Sequence, residues 1–426
     1  MNKFLGYRCS LCGAEYLPGQ VTYTCSCGGN LDVMLDYEML KKKYQPDDFQ
    51  SRDETNLWRY LPLIPVSFPK IAERTPLNLA GGTPTIYLPR LAKKLGIEQL
   101  WLKDESRNPT ASFKDRASAV VVARAMEAGA EVVVTASTGN AGAALAGMAA
   151  AVGQKAVIFA PKTAPPAKVA QLLVYGAKVL LVDGNYDQAF DLSVKSAARF
   201  GWYCRNTGYN PFTLEGKKTA AFEIWEWMIG ELGMSRRKAT GELTIPVNRS
   251  RLMIFVSVGD GNIISGIHKG FKDLKALGWL DTMPRIIGVQ AEGSAAIANA
   301  FKARDEKIVP VKAKTLADSI SVDLPRDGVR AVRAATQTGG MYITVSDAEI
   351  LTAIAELGSQ GVFAEPAGAA AYAGVTAAKA QGLLDPGAPV LVVNTGSGLK
   401  DVRAAMLSVE DAPIIPPDLE SVEKYL

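Results

Sequence analysis

Asn108-Pro109-Thr110-Ala111-Ser112-Phe113-Lys114-Asp115-Arg116 reads as a turn that delivers a single lysine to the start of a helix. That helix is expected over residues 115–128, where Ala and Val dominate one face. An ammonium at a helix N-terminus lies near the positive end of the helix dipole, which favours the neutral amine. A neutral lysine is a nucleophile toward carbonyl carbon. Alone, such a lysine would pass for an ordinary surface residue. It gains weight from three further loops, each following an apolar strand.

Ser137-Thr138-Gly139-Asn140 follows the apolar run Glu131–Thr135 and opens an Ala/Gly-rich helix. Its hydroxyls and backbone N–H groups suit a carboxylate and the Asn140 amide suits a ring oxygen, although Ser, Thr and Asn are also common N-caps. Gly259-Asp260-Gly261-Asn262-Ile263 lies between the run Met253–Val258 and a helix with Ile263, Ile264, Ile267, Phe271 and Leu274 on one face. Small residues there let N–H groups converge on an anion at the helix N-terminus. The loop lacks the Gly-Lys-Ser/Thr of a Walker loop and the spacing of the dinucleotide fingerprint, so a phosphate monoester fits it better than a nucleotide. Asn394-Thr395-Gly396-Ser397-Gly398-Leu399-Lys400-Asp401 follows Val390–Asn394, and Thr395 can hydrogen-bond a heterocyclic nitrogen at the strand end.

Outward from these loops, Ala156–Ala160, Lys178–Val182 and Ile286–Gln290 are further strand candidates, with helical patterns between them. Strands alternating with helices predict an α/β fold with a parallel sheet covered on both faces, and ligands beyond the strands' carboxyl ends. Gly230 to Ser250, with Ser235-Arg236-Arg237-Lys238, reads as a polar, solvated excursion. The chain has 426 residues, enough for two or three domains, and 48% apolar with 21% charged residues excludes wholesale disorder. A net charge of +4 is too small to imply a nucleic-acid or membrane surface. The uncharged stretch Val132 to Gln154 is interrupted by the polar glycine turn, against a membrane span. No hydrophobic segment occupies Met1 to Ser10, so a cytoplasmic location is expected. His268, the single histidine, falls beside an apolar helix face and reads as a structural or surface residue. Acid–base chemistry is therefore expected from Lys, Asp, Glu or a bound cofactor.

Of five cysteines, four fall as Cys9-x2-Cys12 and Cys25-x-Cys27, with Gly28-Gly29 after the second pair. Two close pairs across a short excursion are what a tetrahedral Zn²⁺ needs, whereas a Cys-x-Cys pair is poorly placed in a disulfide framework. A zinc-ribbon-like module with structural Zn²⁺ is expected, and its few basic residues argue against nucleic acid. Cys204 reads as a core residue.

Taken in order, Gly81-Gly82-Thr83-Pro84, Asn108 to Arg116, Ser137 to Asn140, the Gly259–Ile263 loop and Thr395 to Asp401 resemble the motifs of the threonine synthase family. More broadly they resemble fold-type II (tryptophan synthase β-like) pyridoxal phosphate enzymes, from about Arg74 to Arg403. The resemblance implies two open parallel-sheet α/β domains with the cofactor in the cleft between them, and family members also carry a four-cysteine module. Residues 1–36 would be that module, 70–110 with 206–426 the larger, cofactor-binding domain, and 111–205 the smaller. Lys114 would be the catalytic residue and the covalent anchor of pyridoxal 5′-phosphate. Asn140 would contact the 3′-oxygen, while Gly259, Asp260, Gly261, Asn262 and Ile263 would cradle the phosphate. Thr395 would face the pyridine nitrogen. A neutral hydroxyl there leaves the nitrogen largely unprotonated, which suits elimination and replacement better than transamination. Ser137, Thr138 and Asn140 would hold the substrate carboxylate. The implied activity is that of a lyase turning O-phospho-L-homoserine and water into L-threonine and phosphate, in a homodimer acting on a small amino acid.

Asn210-Pro211, Leu214-Glu215-Gly216 and Lys218-Thr219 also match the family, with departures. Thr213 stands where an arginine commonly helps bind the substrate's phosphate, and Ala141 where threonine is usual. Lys217, where glutamine is usual, is then the candidate to bind substrate in compensation. Ala111 and Ala117 stand where glycines are common. Thr213 and Ala141 motivate an alternative: a β-eliminase or β-replacement enzyme on a hydroxy- or phospho-amino acid, serine/threonine dehydratase-like. A zinc-ribbon interaction protein on a dead scaffold is disfavoured, because Lys114 and the phosphate loop are both retained.

Overall fold

A strand whose every residue is apolar must be covered on both faces. That requirement organises the computed structural model, which describes residues 3–50, 54–232 and 252–425. The basic run Ser235-Arg236-Arg237-Lys238, with most of the polar excursion around it, lies outside the described residues. In chain order the strands are β1 (Phe4–Cys9), β2 (Glu15–Tyr16), β3 (Leu31–Leu35), β4 (Thr85–Tyr87), β5 (Leu100–Asp104), β6 (Val132–Ala136), β7 (Lys155–Pro161), β8 (Lys178–Val182), β9 (Tyr203–Cys204), β10 (Met253–Ser257), β11 (Arg285–Ala291), β12 (Met341–Val345) and β13 (Val390–Asn394).

Six strands form one sheet in the order β12-β11-β10-β13-β5-β4, parallel except for β4 against β5. Every residue of β10 and β13, near its centre, is buried. The helix Pro366–Ala380 packs across β10, β11, β12 and β13, and its small residues allow the approach. A Cβ on Gly374 would lie 2.3 Å from Val289 Cγ2. A second sheet, β8-β7-β6-β9, is wholly parallel. Strands β8 and β13 fall where the sequence predicts them, and the other four predicted strands differ by one residue at one or both ends. The stretch 132–154 divides into β6, the glycine turn and the helix Asn140–Ala151. Among the described residues no helix is long and apolar enough to cross a membrane.

β4, β5, β9 and β12 were not among the predicted strands. In β5 the reason is visible: Lys103 and Asp104 look like solvent-facing residues but are buried. Lys103 Nζ donates to Thr83 O at 2.8 Å and pairs with Glu223 at 2.8 Å, while Asn394 Nδ2 donates to Asp104 Oδ1 at 2.8 Å. Beside them Arg116, fully buried, pairs with Glu105 at 2.7 Å and Glu223 at 2.6 Å. This network ties the lysine-bearing helix, Lys114–Glu127, to β5 and to the helix Thr219–Gly230. Such a buried network adds little net stability, but removing one member would strand the others.

The first three strands form an antiparallel sheet in the order β2-β1-β3. It docks through Phe4 and Tyr7, whose rings meet Phe212 edge-on at 5.9 and 6.4 Å.

Candidate active site

Three of the four loops leave the carboxyl ends of β6, β10 and β13, the expected place for a ligand in parallel sheets. The fourth, 108–114, is laced to its neighbours by backbone hydrogen bonds. Phe113 N donates to Thr395 O at 2.9 Å, Ser397 N to Ala111 O at 3.1 Å, and Glu365 N to Gly396 O at 3.0 Å. Glycines make the lacing possible: a Cβ on Gly396 would lie 2.5 Å from Glu365 Oε1. Ala111 takes the left-handed conformation here (φ 63°), which explains why glycine suits this position.

The loops enclose a cavity of about 460 Å³. Lining it are Lys114, Ser137, Thr138, Asn140, Lys217, Gly259, Asp260, Gly261, Asn262, Ile263 and Thr395, so every residue expected to hold cofactor or substrate faces one space. Lys114 is the first residue of its helix, as expected. Its amine is held below the usual lysine range chiefly by burial, with Arg205 adding repulsion and Glu365 opposing both.

The Gly259–Ile263 loop is closely fitted to its neighbours. Gly261 has φ 89°, and a Cβ on it would lie 2.7 Å from Ala331 Cβ. The helix Asn262–Ala276 begins immediately after, directing its free N–H groups at the cavity. Lys217 Nζ donates to Asn262 Oδ1 at 2.5 Å, placing this candidate substrate ligand against the loop. Burial, then Arg205 and Lys114, push its amine well below the ordinary value. Thr213 is buried, its hydroxyl donating to Asn210 O at 2.7 Å.

Pyridoxal 5′-phosphate fits this chemistry. Lys114, Lys217 and Arg205 repel one another, and a cluster of cations withdrawn from water calls for an anion. Arg205 Nη2 is buried without a partner among the described residues, and burial lowers that guanidinium to about 10. Ser257 Oγ, at the end of β10 and on the cavity wall, is also buried with no partner among the described residues.

Three residues with a place at the site escaped the sequence reading of function. Glu365, to which the sequence assigns no role, accepts both contacts of the Asn140 amide at 2.9 Å. Asp327 accepts from Asn262 Nδ2 at 2.7 Å, bracing the phosphate loop from behind. Arg205, at the carboxyl end of β9, donates to Thr207 Oγ1 at 2.6 Å and Ser118 Oγ at 3.2 Å. Only Glu365 carried a sequence signal, as a carboxylate before Pro at a helix start. His268 is buried, does not line the cavity, and is pushed down to about 3 chiefly by burial.

Cys9, Cys12, Cys25 and Cys27 gather at a separate place, their sulfurs all within 4.8 Å of one another. Cys9 and Cys27 stand 3.5 Å apart, Cys12 and Cys25 3.6 Å, and Cys12 and Cys27 3.5 Å. Four thiolates on a tetrahedral ion with Zn–S of about 2.3 Å would stand about 3.8 Å apart, so the donor set fits Zn²⁺. Gly28 turns with φ 81°, and a Cβ on Gly29 would lie 2.5 Å from Cys9 Sγ. Cys204 is a buried core residue, as expected.

Comparison with known proteins agrees with this geometry. A protein-family model described as "Pyridoxal-phosphate dependent enzyme" matches residues 77–396. The threonine synthase of Methanocaldococcus jannaschii is 37% identical over 425 residues, covering 98% of this chain and 98% of that protein. The threonine synthase of Methanosarcina acetivorans is 36% identical over 424 residues, with 98% of each covered. Among solved structures, the processed form of threonine deaminase isoform 2 from Solanum lycopersicum matches with a TM-score of 0.62 at 21% identity. That match covers 77% of this chain and 82% of that one, and is a likeness of fold alone.

Proposed function

This chain belongs to the pyridoxal-phosphate dependent enzymes and, within them, to the threonine synthases, and from that premise we propose that its cleft converts O-phospho-L-homoserine and water into L-threonine and phosphate. The observation that carries the reading is the convergence of Lys114, the Ser137–Asn140 turn, the Gly259–Ile263 loop and Thr395 on one cavity. When bound, pyridoxal 5′-phosphate supplies an electron sink for charge developing at the substrate's Cα.

The chain's own residues do the rest. The N–H groups of Gly259–Ile263 would hold the cofactor's phosphate, Thr395 would offer a neutral hydroxyl to its ring nitrogen, and Asn140 would serve its 3′-oxygen. Ser137, Thr138 and the start of the helix Asn140–Ala151 hold the substrate carboxylate. Lys114 would anchor the cofactor in the resting enzyme. Its amine, held toward neutrality by burial, would take one proton from Cα and one from Cβ; phosphate leaves Cγ, protons return to Cγ and Cα, and water adds its hydroxyl at Cβ while its other proton leaves with the phosphate. Lys217 would offer the substrate's phosphate an Nζ donor where Thr213 offers no guanidinium.

Turnover with phosphorylated and free hydroxy-amino acids tests the reading. Phosphohomoserine is expected to give threonine and phosphate, and Lys114→Ala to lose the covalent cofactor and at least ~10³-fold in rate. The second reading, elimination from a hydroxy- or phospho-amino acid, rests on Thr213, whose side chain offers no guanidinium. Keto acid from serine or threonine, without threonine from phosphohomoserine, would establish it instead.

The proposal extends to a structural Zn²⁺ on Cys9, Cys12, Cys25 and Cys27, supported by the sulfur spacing. It also extends to a cytoplasmic homodimer and to the division into 1–36, 70–110 with 206–426, and 111–205. One zinc per chain by elemental analysis, lost in Cys27→Ser, and a solution mass twice 45.4 kDa are the expected results.

A further inference from the structure

The four-cysteine module is wired to the back of the phosphate loop. Ser10, inside the first cysteine pair, accepts from Arg333 Nη1 through its carbonyl at 2.5 Å. Asn30, three residues beyond Cys27, donates to Gly208 O at 2.5 Å and Arg326 O at 3.1 Å. Asp32, on β3, pairs with Arg330 Nη1 at 2.8 Å. Both cysteine pairs thus brace one segment: residue 326 and the helix Gly328–Thr338.

From that segment the contacts run to the cofactor loop. Arg330 Nε donates to Asp327 Oδ1 at 2.5 Å, and the other oxygen of Asp327 accepts from Asn262 Nδ2 at 2.7 Å. Asp327 N donates to Asp260 O at 2.9 Å, and Arg326 N to Asp260 Oδ1 at 3.2 Å. Asp327 is wholly buried, so its two oxygens are held by Asn262 on one side and Arg330 on the other. Loosening Arg330 would free the carboxylate that fixes Asn262. The Asp327 carbonyl is also one of the atoms that a Cβ on Gly261 would meet, at 2.8 Å, so this segment shapes the loop sterically as well.

We propose that the cysteine-bound metal is a remote clamp on the cofactor's phosphate site. By fixing the two cysteine turns it holds Asn30 and Asp32, and through Arg330 and Asp327 it sets the geometry of the Asp260–Asn262 loop. Asp32 and Arg330 are positioning residues; neither lines the cavity. The inference rests on the zinc and cofactor readings proposed above, and adds that they are energetically coupled. An N-terminal appendage that merely rides on the enzyme has no reason to be linked to that loop through a buried carboxylate.

The test compares two probes of the full chain freed of cofactor: pyridoxal 5′-phosphate and pyridoxal, which lacks the phosphate. Zinc content is measured alongside, and binding is followed by visible absorbance. Three proteins are titrated: wild type with zinc, wild type stripped by chelator, and Asp32→Asn, which leaves all four cysteines in place. The expected result is about a tenfold weaker affinity for pyridoxal 5′-phosphate in the stripped protein and in Asp32→Asn, with pyridoxal affinity unchanged. Asp32→Asn should keep its zinc, and restoring zinc should rescue only the stripped wild type. Equal weakening toward both probes would mean general loosening and overturn the proposal. So would unchanged cofactor affinity in a stripped protein that had carried zinc, and there the metal reading would survive. Absence of zinc from the native protein would sink the metal reading first and the clamp with it, while cofactor binding by that protein would leave the enzyme reading standing.

Discussion

The amide of Asn140 donates to both carboxylate oxygens of Glu365, each at 2.9 Å, across 225 residues of sequence. Asn140 begins the helix after β6 and Glu365 precedes the helix Pro366–Ala380 that covers the six-stranded sheet. The pair therefore joins the two sheets at the cavity wall. Burial raises the Glu365 carboxyl, opposed first by the Asn140 hydrogen bond and then by the Lys114 charge. Glu365→Ala should leave a buried amide half-satisfied and let Asn140 turn from the cofactor ring, lowering cofactor affinity about tenfold. Spectroscopic titration of the variant checks this; unchanged affinity would mean that the pair serves packing alone.

Lys217 sets a buried amine against the Gly259–Ile263 loop beside Thr213, and a bound phosphate would favour its protonated form. Lys217→Gln is expected to lower kcat/KM for phosphohomoserine by roughly 10–100-fold, the loss of one charge-assisted contact. Binding of the cofactor alone, measured separately, should change less than turnover. Equal losses in both would move Lys217 from substrate to cofactor.

Ala111 carries a left-handed backbone (φ 63°) that an L side chain tolerates at a cost of about 1 kcal/mol. Its N–H and carbonyl are both engaged, with Asn108 O at 2.8 Å and Ser397 N at 3.1 Å, so the turn cannot relax. Ala111→Gly should raise stability by about 0.5–1 kcal/mol, read as a higher urea midpoint at unchanged slope. A lower midpoint would contradict the strain.

His268 has a folded-state value of about 3 against 6.5 when free. The unfolded chain then takes up the proton first, so the stability this residue contributes is whole above pH 6.5 and drains away as pH falls toward 3. The slope is at most about 1.4 kcal/mol per pH unit. His268→Gln should be about 2 kcal/mol less sensitive than wild type to a drop from pH 6.5 to 4.5. Parallel stability curves for the two proteins would show that the imidazole does not stay neutral.

The glycine loops and the apolar strands before them were legible because both are local: β10 and β13 announce themselves by the unbroken apolar runs Met253–Val256 and Val390–Val393. β5 was not, since the partners that neutralise Lys103 lie at Thr83 and Glu223, far away in the chain. The same holds at the site. Lys114 and Thr395 sit in recognisable motifs, whereas Arg205, Asp327 and Glu365 acquire their roles only from contacts made after folding. His268 reads as a structural or surface residue, and its burial decides for the former.

The most direct test of the proposed reaction is turnover of phosphohomoserine in ¹⁸O-labelled water, with both products analysed by mass. Loss of phosphate from Cγ breaks the carbon–oxygen bond, so the label should enter the hydroxyl of threonine and leave the released phosphate unlabelled. Label in the phosphate with homoserine as co-product, or a keto acid in place of threonine, would contradict the account.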